Sequence, residues 1–205
     1  MNIWELVKVG GFTMVILLFL SVISIAIILE RIIFYRRKSR QKRNDFMRQM
    51  RGEIRGTNMD SALRVCKDSC APFAQVVYAG LSFFGCSEKE ISNNMERQVI
   101  IETIILERLT PIIGTIGSIA VYIGLLGTIL GILRAFHDVS ITGSGGISVI
   151  IGGISEALST TAAGLCIAVP AISAYNYFMK KIEDFIKDME LAASETMDLI
   201  SAIKK

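Results

Sequence analysis

The chain of 205 residues is 52% hydrophobic and 20% charged, with a formal net charge of +3. Its mean hydropathy of +0.52 is too high for an ordinary soluble domain of this size, so we expect a membrane protein. The sequence also lacks the GxSxG, HExxH, Walker and GxGxxG patterns of common enzyme classes. An enzyme is therefore not expected.

The first uncharged apolar run covers residues 12–29, which is long enough to cross about 30 Å of hydrocarbon as a helix. A basic cluster at residues 36–43 follows it, beginning with Arg36, Arg37 and Lys38. A cleavable signal peptide has its positive charge before the apolar run, so this run is interpreted as a retained anchor. Because basic flanks stay in the cytoplasm, residues 1–11 are predicted to be periplasmic. We expect the cluster to contact membrane lipid and not nucleic acid, because no aromatic side chains are interleaved with its bases.

Residues 30–110 carry many charges, but their apolar side chains recur at helical spacing, which predicts a cytoplasmic helical bundle. Breaks between its helices are expected near residues 52–58, at Pro72 and near residues 85–88.

A helix start is predicted at Ser87, because Ser87 followed by Glu90 has the pattern of a capping box. The apolar residues that follow could carry this helix into the second membrane span. Pro111 would then interrupt or kink it.

The cysteines do not indicate a metal site or a disulfide framework. Cys66 and Cys70 have CxxxC spacing without a nearby histidine, and the reducing cytoplasm disfavours disulfides. We interpret them as small buried residues and expect no cofactor.

The second span is predicted at residues 111–135 and carries small residues at offsets of three and four. They are Gly117, Ala120, Gly124, Gly127 and Gly131. Small residues on one face let the backbone of a partner helix approach closely. Thr128 lies beside this face, and its hydroxyl could either bond to a carbonyl one turn earlier or face a polar lumen.

The third span is predicted at residues 147–178, a run longer than the hydrocarbon core, so it must tilt or project. It contains one acid, Glu156, followed by the hydroxyl residues Thr160 and Thr161. An acid at membrane depth is costly and usually lines an ion pathway, although Glu156 could instead lie at the hydrated outer interface. Thr160 shares the stripe of Glu156, whereas Thr161 is about 140° away around an ideal helix.

Two further residues of the third span are assigned to helix packing, the small Gly164 and the kink-forming Pro170. The segment between the spans, residues 136–146, is predicted to be a periplasmic loop. Lys180 and Lys181 place the tail, residues 179–205, in the cytoplasm as an amphipathic helix.

The fold class expected from these elements is all-α. It is a polytopic membrane protein with three transmembrane helices, the second and third extended into a cytoplasmic helical bundle. The N-terminus is predicted to be periplasmic and the C-terminus cytoplasmic.

Two motifs resemble the MotA/TolQ/ExbB proton channel family, and specifically its ExbB/TolQ branch. They are GLLGTILG at residues 124–131 and ISEALSTTAAGL at residues 154–165, followed by AVPA at 168–171 and YN at 175–176. The resemblance implies that Thr128 and Thr161 are lumenal and that Glu156 is the third-span glutamate of the ion pathway. Relatives similar to ExbB have a proline where this chain has Val121.

The resemblance also implies a subunit of the bacterial inner membrane, assembled as a homopentamer around a dimer of ExbD/TolR-like proteins. That partner spans the membrane once and carries an intramembrane aspartate. Proton flow would energise outer-membrane transport or envelope work. The alternative is a non-conducting assembly scaffold that uses the same small-residue faces without passing ions.

Overall fold

The computed structural model describes residues 3–56, 58–142 and 147–204, and within these ranges the regular structure is entirely helical. The helices are α1 (Ile3–Lys38), α2 (Arg43–Arg55), α3 (Met59–Asp68), α4 (Pro72–Leu81), α5 (Glu88–Glu107), α6 (Thr110–Thr142) and α7 (Ile147–Lys204). Three helical stretches are long and apolar enough to cross a membrane. They lie within Gly11–Ile54, Glu88–Ser140 and Ile150–Ile203. The expected all-α fold with three such helices is confirmed.

The chain divides into two compact units. The membrane unit comprises the residues up to Glu30 together with Leu109–Tyr177, and the bundle unit comprises Arg31–Arg108 together with the residues from Phe178 onward. The membrane unit therefore contains most of α1, the whole of α6 and the first half of α7. The bundle unit contains α2 to α5 and the second half of α7.

The bundle unit has an apolar core to which all of its helices contribute. Its largest fully buried side chains include Phe46, Met47, Met50, Leu81, Ile91, Met95, Ile182 and Met189. Full burial of one such side chain stabilises a fold by about 1.5–3 kcal/mol. Helix α7 also joins α2 through ion pairs, since Arg43 contacts Asp188 at 3.3 Å and also Glu195.

The helix starts inside the bundle unit follow the local sequence. The backbone N–H of Glu90 donates to Ser87 Oγ at 3.3 Å, and the N–H of Ser87 donates to Glu90 Oε2 at 2.9 Å. The predicted capping box is thus confirmed. Hydrogen bonds from the Ser87 side chain and backbone lower the pKa of Glu90. Pro72 opens α4, where its missing N–H has no helical partner in any case.

The helix that begins at Glu88 stops before the second span. Helix α5 ends at Glu107 and α6 begins at Thr110, with Pro111 in the first turn of α6. The hydroxyl of Tyr35 donates to the carbonyl oxygen of Leu106 at 2.8 Å. This bond satisfies one of the carbonyls left without an intrahelical partner where α5 ends.

The predicted loop at residues 136–146 is wrong for its first part, because α6 remains helical as far as Thr142. Residues 136–142 contain neither glycine nor proline, so nothing in them stops the helix. Residues 143–146 lie outside the described residues. The tail predicted as a helix is indeed helical to Lys204 and buries Ile182, Phe185 and Met189.

Candidate ion pathway

Helices α6 and α7 approach each other backbone to backbone at Gly124 and Gly164. A Cβ added at Gly164 would lie 2.6 Å from the carbonyl oxygen of Ala120 and 3.1 Å from Cα of Gly124. A Cβ at Gly124 would lie 3.1 Å from Cα of Thr161. The 2.6 Å distance leaves no room for a side chain at Gly164, and the 3.1 Å distance makes Gly124 a tight position where a side chain would require its neighbours to shift.

The other small residues of α6 also face α7. A Cβ added at Gly117 would lie 2.7 Å from Cγ1 of Ile172, and one at Gly131 would lie 2.8 Å from Cβ of Ala157. Val121, at the position where relatives have proline, packs against Leu17 and its buried neighbours, and α6 is unbroken there. Small residues thus occupy one face of α6 along most of its contact with α7.

Pro170 lies inside α7 without ending it, and its side chain is exposed within the membrane unit. The structure therefore places Pro170 away from the α6 contact, unlike Gly164, which is buried in it.

Thr161 joins α7 to α6 through a hydrogen bond. Its hydroxyl donates to the carbonyl oxygen of Gly124 at 3.0 Å. The hydroxyl of Thr128, on the next turn of α6, donates to the carbonyl oxygen of Leu125 at 2.5 Å. Of the two alternatives for Thr128, the local bond is therefore formed. Both hydroxyl groups donate their protons to backbone carbonyls. Each threonine can therefore act toward another group only as a hydrogen-bond acceptor, through the lone pairs of its oxygen.

Glu156 and Thr160 line one cavity of about 90 Å³ among α1, α6 and α7, here called the Glu156 chamber. Among the residues that the structure describes, those that line the chamber are Gly11, Phe12, Thr13, Gly127, Leu130, Gly131, Arg134, Glu156, Ala157 and Thr160. Thr160 is 2% exposed and donates to the carbonyl oxygen of Ala157 at 2.7 Å. The chamber brings Glu156 and Thr160 together, whereas Thr128 and Thr161 do not line it.

Sequence reasoning missed two polar side chains of the chamber, Thr13 and Arg134. Thr13 is 5% exposed, and a Cβ added at Gly127 would lie 2.9 Å from its hydroxyl oxygen. The sequence carries no signal for Thr13, because its position at the chamber depends on how α1 packs. The signal for Arg134 was in the sequence: it follows Gly127 and Gly131 at helical spacing.

The membrane-flanking bases lie in the bundle unit. Arg36 and Arg37 are exposed in the last turn of α1. Lys38 reaches the carboxylate of Glu102 at 3.5 Å. A second pair, Lys180 and Glu183, is separated by 3.3 Å, and Lys181 Nζ lies 5.7 Å from the centroid of the Phe185 ring. Within the described ranges, no group of three or more histidine, cysteine or acidic side chains could hold a metal ion.

Residues 68–191, which include both motifs and all four candidate pathway residues, match the MotA/TolQ/ExbB proton channel family. The chain belongs to this family. It is 32% identical over 174 residues to a protein of Synechocystis described as ExbB-like 3, a match that covers 82% of this chain and 81% of that protein.

Two further relatives carry the names of the predicted branch. The biopolymer transport protein ExbB of Pseudomonas putida is 30% identical over 75% of this chain, and the match spans 51% of that protein. The Tol-Pal system protein TolQ of Pseudomonas aeruginosa is 40% identical over 40% of this chain and 35% of that protein. The predicted family and branch are confirmed. With its three apolar helices, the chain is a multi-pass bacterial inner-membrane protein of the proton-channel, energy-transducing type.

Proposed function

We propose that this chain is the proton-channel subunit of an inner-membrane motor that uses the proton motive force for outer-membrane transport or envelope work. In this proposal five copies surround a dimer of ExbD/TolR-like proteins. The N-terminus is periplasmic and the C-terminus cytoplasmic, with the basic residues beside α1 and α7 at the cytoplasmic lipid surface.

The observation that carries the proposal is the placement of Glu156. It is the one acid between residues 147 and 178, and it lines a chamber with the hydroxyls of Thr13 and Thr160. An ionisable side chain within a membrane-spanning helix usually faces a bundle interior or a water-filled path. Hydroxyl groups beside it can hydrogen-bond to the water that a moving proton requires.

The threonines of the motifs would act on a titrating group that the partner supplies. Because the hydroxyl protons of Thr128 and Thr161 are donated to backbone carbonyls, their oxygens can accept a hydrogen bond from water or from a protonated carboxylic acid. Neither threonine gains or loses a proton near neutral pH, so neither can be the titrating group. The chain alone should therefore conduct poorly, and conduction should need the intramembrane aspartate of the partner.

The test is proton flux into liposomes that contain the chain with and without its ExbD/TolR-like genomic neighbour. Each preparation is compared with Thr161→Val and with Thr161→Ser, which keeps the hydroxyl. We expect flux that requires the partner, falls at least about tenfold with valine and is largely retained with serine. Assembly of each complex is measured in parallel by its mass in detergent.

A fully assembled complex without flux would contradict the channel proposal, and equal flux with valine and serine would contradict the role proposed for the Thr161 hydroxyl. The first result would favour the non-conducting scaffold, for which the close packing of α6 on α7 would be sufficient.

A further inference from the structure

We propose that Arg134 is the counter-charge of Glu156 in the Glu156 chamber, and that it prevents the chamber from retaining an alkali cation. The inference rests on the proposed ion pathway and adds a residue that determines which ion the pathway takes. Among the described residues that line the chamber, Arg134 and Glu156 are the ionisable ones.

The chamber forms where glycines on one face of α6 leave space that side chains would otherwise fill. Gly127 and Gly131 lie one turn apart on this face, and Arg134 follows on the next turn. On α7, Glu156 and Thr160 are also one turn apart. A cavity of about 90 Å³ exceeds the roughly 10–15 Å³ that a single water molecule requires.

Arg134 is exposed on α6 and lies at the edge of this chamber, beside the kink in α1. Gly11 has a φ of 57° and a ψ of −151°, a conformation that residues with a Cβ rarely adopt. A Cβ added there would lie 3.9 Å from Nη1 of Arg134, so the guanidinium reaches back to the bend where α1 lines the chamber. Helix α1 thus contributes Thr13, α6 contributes Arg134, and α7 contributes Glu156 and Thr160.

Without Arg134 the chamber would combine a carboxylate with two hydroxyl oxygens, all of them ligands that hard cations prefer. The guanidinium carries a permanent positive charge and donors only, so it balances the carboxylate and offers no oxygen to a metal ion. A proton needs no such ligand shell, because it can pass along hydrogen-bonded water. Arg134 therefore deprives sodium of the unbalanced carboxylate that would hold it, while hydrogen-bonded water can still carry protons.

The experiment measures how fast a water-soluble carbodiimide with an amine nucleophile modifies Glu156 in the complete complex in liposomes. Modification is read by mass spectrometry in sodium chloride and in choline chloride of equal ionic strength. The variants are Arg134→Gln and Arg134→Lys. Glu156→Gln is the negative control, because it has no carboxylate at this position to be modified. His137→Gln is the matched control, because His137 is exposed on the next turn of α6 and does not line the chamber.

We expect sodium to slow the modification of Glu156 on the order of tenfold in Arg134→Gln, because the carboxylate then lacks its balancing charge. Wild type, Arg134→Lys and His137→Gln should be modified equally fast in both salts. Equal rates in both salts for Arg134→Gln, protection by sodium in the wild type, or no modification in any variant would each overturn the proposal. Because the assay does not require conduction, its failure is distinguishable from absent proton flux in the wild-type complex.

Discussion

The hydroxyl of Thr161 and the carbonyl oxygen of Gly124 are 3.0 Å apart, so the threonine that resembles a lumenal residue of the family also links two helices of one chain. Thr161→Val removes this link while keeping the side-chain volume. Hydrogen bonds between membrane helices contribute about 0.6 kcal/mol on average, so we expect a loss of stability of about that size. Unfolding in mixed micelles measures it, with Thr161→Ser as the control.

A stability loss much larger than this would assign the effect of valine on flux to misfolding. A small loss together with a large drop in flux would separate the hydroxyl's role in conduction from its role in packing.

Gly164→Ala is expected to destabilise the membrane unit by roughly 1–3 kcal/mol, because the added methyl group would lie 2.6 Å from the carbonyl oxygen of Ala120. Gly152→Ala is the matched control on the same helix, since a Cβ there meets nothing within 4 Å. Gly152→Ala should leave stability unchanged or raise it slightly, because alanine has the higher helix propensity. Equal effects of both substitutions on unfolding in mixed micelles would contradict the close approach of α6 and α7.

Tyr35→Phe should lower the free energy of unfolding by about 1 kcal/mol, because the carbonyl of Leu106 at the end of α5 loses its donor. The ring contact with Phe178, whose centroid lies 5.4 Å from that of Tyr35, is kept by phenylalanine. Tyr122→Phe serves as the control, since Tyr122 is 70% exposed within the membrane unit. Thermal unfolding in detergent checks the prediction, and equal melting temperatures for the two variants would refute it.

Cys66 should be much less reactive than Cys70. Burial raises the pKa of the Cys66 thiol from 9.0 to about 12, so at pH 8 it has almost no thiolate. The expectation that both cysteines are buried is wrong for Cys70, which is exposed just beyond the end of α3. We expect iodoacetamide to alkylate Cys66 at least about 100-fold more slowly than Cys70 in the folded protein. Mass spectrometry of timed samples measures both rates, and comparable rates would be inconsistent with a buried thiol.

The same shift makes stability depend on alkaline pH. At neutral pH the Cys66 thiol is protonated in both the folded and the unfolded chain, so its ionisation does not affect stability there. The unfolded chain releases the thiol proton first as the pH rises. Stability therefore decreases between about pH 9 and 12, by up to about 1.4 kcal/mol per pH unit. Cys66→Ala should remove this slope and Cys70→Ser should leave it.

The elements that depend on local chemistry were predictable from the sequence. Ser87 and Glu90 form the expected capping box, and Pro72 opens a helix where a break was expected. Residues whose role depends on contacts between helices that are distant in the sequence were harder to predict. No pattern in the first span indicates that Thr13 lies beside Gly127, because that depends on the direction in which α1 packs.

The same limit applies to Thr161 and to the end of α6. The helical angle between Glu156 and Thr161 correctly indicates that the two side chains point in different directions. It does not indicate that the Thr161 hydroxyl is bonded to Gly124. The expected loop was placed too early because the apolar run ends near Arg134, whereas the helix continues through polar residues to Thr142. Hydropathy indicates where the apolar segment ends, whereas helix-breaking residues indicate where the helix ends. In α6 these two positions are different, near Arg134 and at Thr142.

Gly124 and Gly164 also restrict how the membrane unit can move. With no side chain between them, the two backbones lie in direct contact, and turning either helix about its axis would bring a larger side chain into that contact. We therefore expect α6 and α7 to move together in any conformational change of the membrane unit.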